Sequence, residues 1–420
     1  MTHTVLTFIT KVKPGQVDAL SKILKQIGDF PETNAYVPFR SLNLLHFASF
    51  VLAQSPPNSE YPPCLIFENN FDGEMSEYLS ALCSLASDGL HQIYGCCLDY
   101  TVASASDRAG IADYLSAHVV LPNAYHVGNT GRSAARIKDE KTLRDALEAH
   151  ADTLVQSGQR SSASAALASF QQFVRGDQQW SWIPDAGPRQ TFMEQFVAWS
   201  KFLLAVLVGG TIGLVPILIG LTALAYKERT DAVQAKQADS GKVQSLLETE
   251  NRTQSVQNHM ASITIVKPGW LRRTALRTVL FAINLVARAY QTHGTLSDIP
   301  SIHFAHWSVI DNGRRLLFLS NYDGSWENYL DDFIDKAHLG LTAVWSNTLN
   351  FPRSGFFFKD GATDGPRFKA VARDSQIVTN AWYSAYRDQT VQGIDNNSTI
   401  REDLLQPLDD TAAAALLQRL

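Results

Sequence analysis

A long internal repeat is the feature that most constrains how this chain can fold. The stretch Leu65-Ile-Phe-Glu-Asn-Asn-Phe-Asp-Gly73 returns 251 residues later as Leu316-Leu-Phe-Leu-Ser-Asn-Tyr-Asp-Gly324. Val12-Lys-Pro-Gly15 returns in the same order, as Val266-Lys-Pro-Gly269. Ordered matches at nearly constant spacing indicate a duplicated structural unit. We therefore divide the 420 residues into four parts: repeat one (1–150), a connector (151–256), repeat two (257–410) and a C-terminal tail (411–420).

Each repeat carries the local signals of an α+β unit. The apolar patterns of repeat one predict four elements before the Asp-Gly turn: a strand at Val5–Val12, a helix at Val17–Ile27 and a strand pair at Asn43–Leu52 and Cys64–Phe67. A second helix is expected after that turn, and final strands at His91–Leu98 and, in repeat two, Thr342–Leu349. This order is ferredoxin-like. Because one face of such a sheet still needs a cover, we expect the repeats to pack sheet to sheet or to form a fused barrel.

This duplicated pattern resembles the dimeric α+β barrel superfamily, with both halves fused in one chain. Dye-decolorising peroxidases and chlorite dismutases hold haem in such a domain. Gly361-Ala-Thr-Asp-Gly365 is similar to the G-x-x-D-G motif of the dye-decolorising peroxidases, so the resemblance implies haem as a cofactor and Asp364 as the acid on its peroxide side. No histidine follows Asp364, and a haem iron would therefore need His303, His306 or His338 as its ligand.

Other candidate site residues are concentrated in repeat two. His303, His338, Asp323 and Arg401 are the candidates for catalysis beside Asp364, because imidazole can act as ligand or general base. Aromatic and cationic side chains suited to an anionic, partly apolar ligand add three candidates for cofactor binding beside His306: Trp345, Tyr383 and Arg387. His303 and His306 are three residues apart, so strand alternation would place them on opposite faces, where they could not hold one metal ion.

The Asp-Gly elements allow two interpretations. Asp72 and Asp323 follow a strand and precede a helix, and turn chemistry alone accounts for the residue types: a carboxylate that caps or initiates a helix, followed by a glycine with positive φ. The functional alternative is a carboxylate at the end of a sheet, facing an enclosed cavity. His46 occupies the position in repeat one that His303 occupies in repeat two.

The connector contains an apolar segment of membrane-spanning length. Phe202–Tyr226 has 25 residues without a charge, between Lys201 and Lys227, and about 20 apolar residues suffice to cross a bilayer. A single span would separate two repeats that need each other as cover. We therefore expect a re-entrant hairpin, bent at the glycines and the proline near its middle, with both repeats facing the cytoplasm. The alternative is a true span, with each repeat completed by a copy from another chain.

A basic, aromatic segment at the start of repeat two gives a second membrane signal. In Trp270-Leu-Arg-Arg-Thr-Ala-Leu-Arg277, three arginines could meet anionic headgroups while Trp270 and Leu271 insert. The alternative is a barrel helix buried under the connector. The three arginines are Arg272, Arg273 and Arg277.

Composition and missing motifs exclude several function classes. The net charge of −5 argues against nucleic acid as a partner. The chain lacks a P-loop, a Rossmann glycine fingerprint, a G-x-S-x-G elbow and an H-E-x-x-H motif. The four cysteines are interpreted as buried, reduced thiols.

We therefore predict a membrane-associated oxidoreductase that acts on a lipophilic substrate at the bilayer, with haem as its possible cofactor. The alternative is a non-catalytic, membrane-tethered scaffold or lipid-binding protein. The expected partners are the lipid bilayer and a lipophilic small molecule, and the sequence leaves open a homo-oligomer or a redox partner.

Overall fold

The element order of the sequence repeat is present in both halves of the chain. The computed structural model describes residues 3–55, 60–157, 162–185, 192–231, 239–251, 255–290, 299–355, 359–407 and 410–420. Repeat one contains β1 (His3–Lys11), α1 (Val17–Asp29), β2 (Leu45–Ala53), β3 (Cys64–Asp72), α2 (Met75–Gly95), α3 (Arg108–Ala117), β4 (Val119–Val120), β5 (Ala124–Val127) and α4 (Ala134–Gln156). The connector contains α5 (Ala163–Arg175), α6 (Phe192–Gly210), α7 (Leu214–Thr230) and α8 (Ser240–Asn251).

Repeat two follows the same plan. It contains β6 (Gln257–Ile265), α9 (Trp270–Tyr290), β7 (Ile302–Ile310), β8 (Arg315–Asp323), α10 (Trp326–Trp345), β9 (Ser354–Gly355), β10 (Lys359–Asp360), α11 (Gly365–Ser375), β11 (Gln376–Ile377), β12 (Ala381–Ser384) and α12 (Val391–Leu404), and α13 (Asp410–Leu417) ends the chain. The first strands and helices predicted for repeat one are confirmed. The predicted final strands are wrong, since α2 covers most of the first segment and α10 covers half of the second. A short apolar run can belong to a helix end as readily as to a strand.

Two five-stranded antiparallel sheets form the centre of this α+β protein, and each takes an edge strand from the other repeat. Sheet one has the order β12-β2-β3-β1-β4, and sheet two has the order β11-β6-β8-β7-β5. β5 of repeat one pairs with β7, and β12 of repeat two pairs with β2. The chain therefore crosses between the sheets twice, from β4 to β5 and from β11 to β12. These crossings join the sheets at both edges into a flattened barrel compatible with two ferredoxin-like units.

The inner faces of the two sheets contact each other directly. Thr7 Oγ1 of β1 lies 3.0 Å from His306 Nε2 of β7, and His259 Nε2 of β6 lies 2.8 Å from a carboxylate oxygen of Glu68 on β3. Apolar side chains from both sheets surround this polar centre, among them Val51, Ile66, Ala261, Leu317 and Leu319. The expectation that each repeat covers the other is met by these contacts.

Helices cover the remaining faces. α1, α2 and α3 pack on the outer face of sheet one, and α9, α10 and α11 pack on that of sheet two. α4 and α12 pack against each other at one end of the barrel, where Ala134 and Ile394 meet Phe47 and Phe304 from the two sheets. α5 and α13 complete this helical layer. The four cysteines are free and buried, as predicted.

The apolar connector segment folds as α6 and α7. Among the described residues, no single helix is long and apolar enough to cross a membrane. Gln195–Gly210 and Leu214–Thr230 have that length and composition only as a pair, and they are bent by 75° relative to each other. The predicted segment 202–226 lies within this pair. Glycines at the break account for the bend, because glycine adds backbone freedom and supplies no side chain to stiffen the turn.

Candidate functional site

Equivalent β-bulges position one histidine in each sheet. The pairing of β2 with β3 shifts between Leu45 and Phe47, and that of β7 with β8 shifts between Ile302 and Phe304. His46 and His303 are the residues skipped, and both face the barrel interior, where the ring of His303 lies 5.1 Å from that of Phe47. The expectation that His303 and His306 face opposite sides is therefore wrong, because the bulge interrupts the alternation.

In repeat one the histidine belongs to a buried Tyr–His–Asp chain. His46 Nε2 lies 2.9 Å from Asp72 Oδ1, and His46 Nδ1 lies 2.7 Å from the hydroxyl of Tyr386. The carboxylate can only accept, so Nε2 carries the proton and Nδ1 accepts from the tyrosine. Burial lowers the pKa of His46, although Asp72 opposes that shift, and burial raises the pKa of Tyr386 well above its ordinary value. These three hydrogen-bonded residues thus place a neutral imidazole between a phenol and a carboxylate, an arrangement able to pass a proton.

His3 places a second imidazole beside Asp72. Ligand atoms of His3, His46 and Asp72 all lie within 4.8 Å of one another, which is the residue set of a two-histidine, one-carboxylate metal site. However, the backbone N–H of Gly131 donates to His3 Nε2 at 2.9 Å. The remaining ligand atom, His3 Nδ1, lies 3.1 Å from Asp72 Oδ1 without a hydrogen bond to it. A metal ion at this place would have to replace the proton that His46 Nε2 donates to Asp72.

Repeat two contains the matching His–Asp pair with one atom left open. His303 Nε2 lies 2.7 Å from Asp323 Oδ1, and Gln257 replaces His3, with its amide nitrogen 3.2 Å from His303 Nε2. Asn129 holds the position that corresponds to Tyr386, and its side chain donates instead to Asp395 of α12 at 3.0 Å. His303 Nδ1 consequently has no hydrogen-bond partner among the described residues.

The two aspartates also cap helices, but not the helices expected from the sequence. Asp72 Oδ2 accepts from the N–H of Ala134 at 2.9 Å, and Asp323 Oδ2 accepts from that of Val391 at 2.8 Å. These are the first residues of α4 and α12, which close the barrel, whereas α10 is capped by Ser325. Each His–Asp pair therefore fixes the start of one closing helix. Burial raises the pKa of Asp72, but His46 and His3 outweigh it and hold that pKa well below its usual range.

A second polar cluster lies deeper between the sheets, around the fully buried Glu68. Its carboxylate accepts from Ser49 at 2.9 Å and Asn70 at 3.0 Å, besides the contact with His259, and lies 3.6 Å from His306 Nδ1. Burial raises the pKa of Glu68, but His259 and the hydrogen bonds outweigh it and lower that pKa to about 2. Burial lowers the pKa of His306 to about 4. The ionised carboxylate is thus held by donors from both sheets, as a buried charge requires.

The sequence analysis missed part of this cluster. Glu68 and His259 differ between the repeats, where Leu319 and Val5 hold the corresponding positions. A search for shared residues therefore passes over them. The available signal was a single carboxylate inside the apolar stretch Leu65-Ile-Phe-Glu68, since such a charge needs a buried partner.

Of the predicted catalytic residues, the structure brings only His303 and Asp323 together. His338 lies on α10, on the outer side of sheet two, and is not brought to His303. Asp364 begins α11 and lies 3.4 Å from the Arg367 side chain. Arg401 is buried in a structural ion pair, its Nε donating to Glu140 of α4 at 2.8 Å.

The predicted cofactor-binding residues are likewise dispersed. His306 lies between the sheets, while Trp345 packs in the outer core with Phe318, at 5.4 Å between rings. Tyr383 stacks on Phe39 on the outer face of sheet one, and Arg387 pairs with Glu32 near the surface at 3.3 Å. These side chains do not line one common site.

The described residues around the histidines do not fit a haem. Both ring nitrogens of His46 are hydrogen-bonded, and His306 is fully buried between Thr7 and Glu68. His303 Nδ1 has no hydrogen-bond partner among the described residues, but the rings of Phe47 and Tyr386 pack 5.1 and 5.9 Å from its imidazole. A porphyrin would have to displace these side chains.

Comparisons with known proteins add no family. No family model, no curated protein and no solved structure matches this chain. Its function must therefore be argued from its own residues.

Proposed function

We propose that this protein is a membrane-tethered binding protein, which holds its duplicated barrel against a lipid surface through α6 and α7. The observation that carries the proposal is the exposed apolar surface of these two helices. The exposed side chains are Met193, Phe196, Val197, Trp199, Leu203, Leu204, Val206, Leu207 and Val208 on α6, Ile212 at the break, and Leu214, Val215, Ile217, Leu218, Ile219 and Tyr226 on α7. Apolar patches of this extent are typical of membrane or protein contact sites.

The distribution of these side chains favours insertion into lipid over a contact along one helix face. Leu203, Leu204, Val206, Leu207 and Val208 are each 46–62% exposed. At 100° per residue these five positions span an arc of about 200°, wider than the stripe of about 100° with which a surface helix packs on a protein core. Both ends of the connector join one interlocked body, so the proposal is a hairpin that enters and leaves on the same side of the bilayer.

A buried ion-pair cluster supports the proposal by attaching α7 rigidly to repeat two. Glu228, in the last turn of α7, is 3% exposed and accepts from Arg272 at 2.7 Å and from Lys267 and Ser354 at 3.2 Å. The expectation that Arg272 meets lipid headgroups is wrong, because the guanidinium is committed to this cluster. Trp270, 75% exposed, remains a candidate for the lipid interface.

Vesicle flotation of the full-length protein tests the proposal. We expect the wild-type protein to float with vesicles of phosphatidylcholine and phosphatidylglycerol. The double variant Leu204→Asp, Leu207→Asp should reduce the floated fraction at least tenfold. The matched control is Leu85→Asp, at a leucine of α2 that is 46% exposed outside the apolar pair. Equal flotation of the double variant and the control would contradict the proposal.

The architecture supports a second inference, that the chain is a fused form of the dimeric α+β barrel. What supports it is the exchange of β5 and β12, since each repeat completes the sheet of the other within one chain. The repeats need no second copy to cover their inner faces. This removes the reason for the alternative in which a true span separates them.

The predicted oxidoreductase function remains a second candidate, and the Tyr386–His46–Asp72 chain favours it because it can pass a proton. The hypothesis of a haem-dependent oxidoreductase is tested by titrating the purified protein with haemin and following the Soret absorption. The site geometry predicts no saturable binding. A saturable one-to-one change that disappears in His303→Ala would restore the peroxidase-like candidate.

A further inference from the structure

A large cavity lies at the seam where sheet two meets sheet one. Its volume is about 660 Å³, within the roughly 300–1,000 Å³ of ligand pockets. β11 pairs with β6 only at Ala261 and Ser262, and the next backbone bond along that edge joins Leu349 N to Ile265 O. The edge of β6 between these contacts is left without a strand neighbour, and the cavity occupies this gap.

The lining of the cavity is amphipathic. Its apolar wall includes Leu52, Ala53, Ile263, Ile265, Leu349 and Ile377. Two cationic side chains, Arg315 and Lys242, line it against one carboxylate, Asp374. Arg315 is 7% exposed. Its Nε donates to Asp311 and its guanidinium lies 4.3 Å from the ring centroid of Tyr61, so it is held in a fixed place at the cavity wall. Guanidinium groups recognise carboxylates and phosphates.

Comparison with repeat one identifies a polar atom that the fold itself leaves unsatisfied. Thr10 of β1 donates its hydroxyl to Cys97 Sγ at 3.2 Å. Thr264 holds the corresponding position on β6 and lines the cavity, but its hydroxyl has no partner among the described residues. Thr348, which corresponds to Cys97, gives its own hydroxyl to Trp345 O at 2.8 Å. Repeat two therefore lacks the contact that satisfies this position in repeat one.

The cavity lies at the end of the barrel where α7 is attached. Lys267, which binds Glu228, follows the cavity residue Ile265 by two positions. Ser354, which also binds Glu228, follows the cavity residue Asn350 by four. A lipid surface contacted by α6 and α7 would thus be close to the cavity.

We propose that this cavity binds a single-chain lipid with an anionic head, of which a long-chain fatty acid is the simplest member. The carboxylate lies beside Arg315, while Thr264 lines the cavity from the opposite face of β6. The alkyl chain packs against Ile263, Ile377 and Leu52. This inference rests on the proposed membrane function for the source of the ligand. The chemistry of the site, a cation beside an apolar wall, is independent of that source.

Photo-crosslinking of the full-length protein with a diazirine-bearing stearate tests the inference. We expect adducts on β6, β11 and the end of β2. Ile263→Trp fills the cavity and should reduce this labelling at least tenfold. The matched control is Ile9→Trp, since Ile9 corresponds to Ile263 in repeat one and packs in the same core. Unchanged labelling in Ile263→Trp, or adducts confined to α6 and α7, would overturn the inference.

A second ligand separates recognition of the head from burial of the chain without changing the protein. The corresponding fatty alcohol should compete with the stearate probe about tenfold more weakly than stearate does, because it forms no charge-assisted bond with Arg315. Arg315→Gln should remove this difference. Equal competition by the alcohol and the acid in the wild-type protein would overturn the assignment of an anionic head.

The source of the ligand is tested apart from the cavity. The probe is delivered once from vesicles and once from cyclodextrin, to the wild-type protein and to Leu204→Asp, Leu207→Asp. If only the membrane proposal is wrong, all these proteins are labelled in the cavity from cyclodextrin and none floats. If the cavity inference is wrong, the cavity is not labelled from cyclodextrin even when the wild-type protein floats.

Discussion

Tyr386 donates its hydroxyl proton to His46 Nδ1 at 2.7 Å, although 340 positions separate the two residues. The bond joins repeat two to repeat one inside the barrel. We expect Tyr386→Phe to lower the free energy of unfolding by about 1–3 kcal/mol, because a buried acceptor then loses its donor. Urea-induced unfolding of the full-length protein in mild detergent measures the change. Tyr383→Phe is the control, since Tyr383 packs on Phe39 without a described hydrogen bond, and equal losses would contradict the assigned role of Tyr386.

Asp72 and Asp323 are expected to stabilise different helices. Asp72 accepts from His46 and Ala134 and lies 3.1 Å from His3 Nδ1, while Asp323 accepts from His303 and Val391. An asparagine has one acceptor oxygen and so cannot replace either carboxylate. We expect Asp72→Asn to lower the free energy of unfolding by roughly 2–4 kcal/mol, and Asp323→Asn to lower it less.

Amide hydrogen exchange distinguishes the two variants. Exchange should accelerate first in α4 for Asp72→Asn and first in α12 for Asp323→Asn, because each aspartate caps one of these helices. Each variant thereby serves as the control for the other. Uniform acceleration throughout the barrel in both variants would show that neither aspartate acts as a helix cap.

The sequence predicted the duplication and the fold class because these depend on residues that match between the repeats. Strand exchange was not predictable, although Asn123-Ala-Tyr125 and Asn380-Ala-Trp382 marked the exchanged strands as equivalent. Local patterning shows that a segment is a strand, and the choice of neighbouring strand depends on tertiary packing. Neither strand was predicted: residues 124–127 lie in repeat one and residues 381–384 in repeat two, whereas each strand completes the sheet of the other repeat.

The candidate site was predictable only in part, for two physical reasons. His303 and Asp323 were named, but the bulge that directs His303 inward is one skipped residue with no sequence signal of its own. Glu68 and His259 were missed because their bond joins side chains that are 191 positions apart and differ between the repeats. Residues that match between the repeats indicate the fold that the repeats share. Glu68 and His259, which differ between the repeats, form the polar centre.

Stability should fall in acid in two steps, first from the buried histidines His306 and His46 and then from the buried carboxylates Glu68 and Asp72. Burial lowers the pKa of His306 to about 4, against an ordinary value of about 6.5. Between these pH values the unfolded chain binds a proton that the folded chain excludes, so the free energy of unfolding falls as pH falls. The pKa of Glu68, lowered to about 2, adds a second loss between about pH 4.5 and 2, where only the unfolded carboxylate takes up a proton.

Unfolding measured from pH 7 to pH 3 checks this assignment. Between pH 6.5 and 4 the free energy of unfolding should fall less in the variant His306→Gln than in the wild-type protein. The difference should be on the order of 2–3 kcal/mol over that window. Below pH 4, His306→Gln should keep the wild-type loss, because that loss comes from Glu68 and Asp72. A wild-type slope in His306→Gln would mean that other groups cause the loss in acid.

Glu228 is expected to hold the apolar helix pair on repeat two. The variant Glu228→Gln leaves Arg272 and Lys267, 2% and 3% exposed, with the more exposed Asp231 as their carboxylate partner within this cluster. Removing one partner from a buried ion cluster costs about 3–5 kcal/mol. We expect faster hydrogen exchange in α7 and at the start of α9, with the two sheets unaffected.

Glu60→Gln is the control, because its pair with Arg314 at 2.8 Å is at the surface and contributes about 0–1 kcal/mol. Unchanged exchange in α7 would mean that other contacts hold the helix pair, and the barrel would then be linked to the proposed lipid surface in another way.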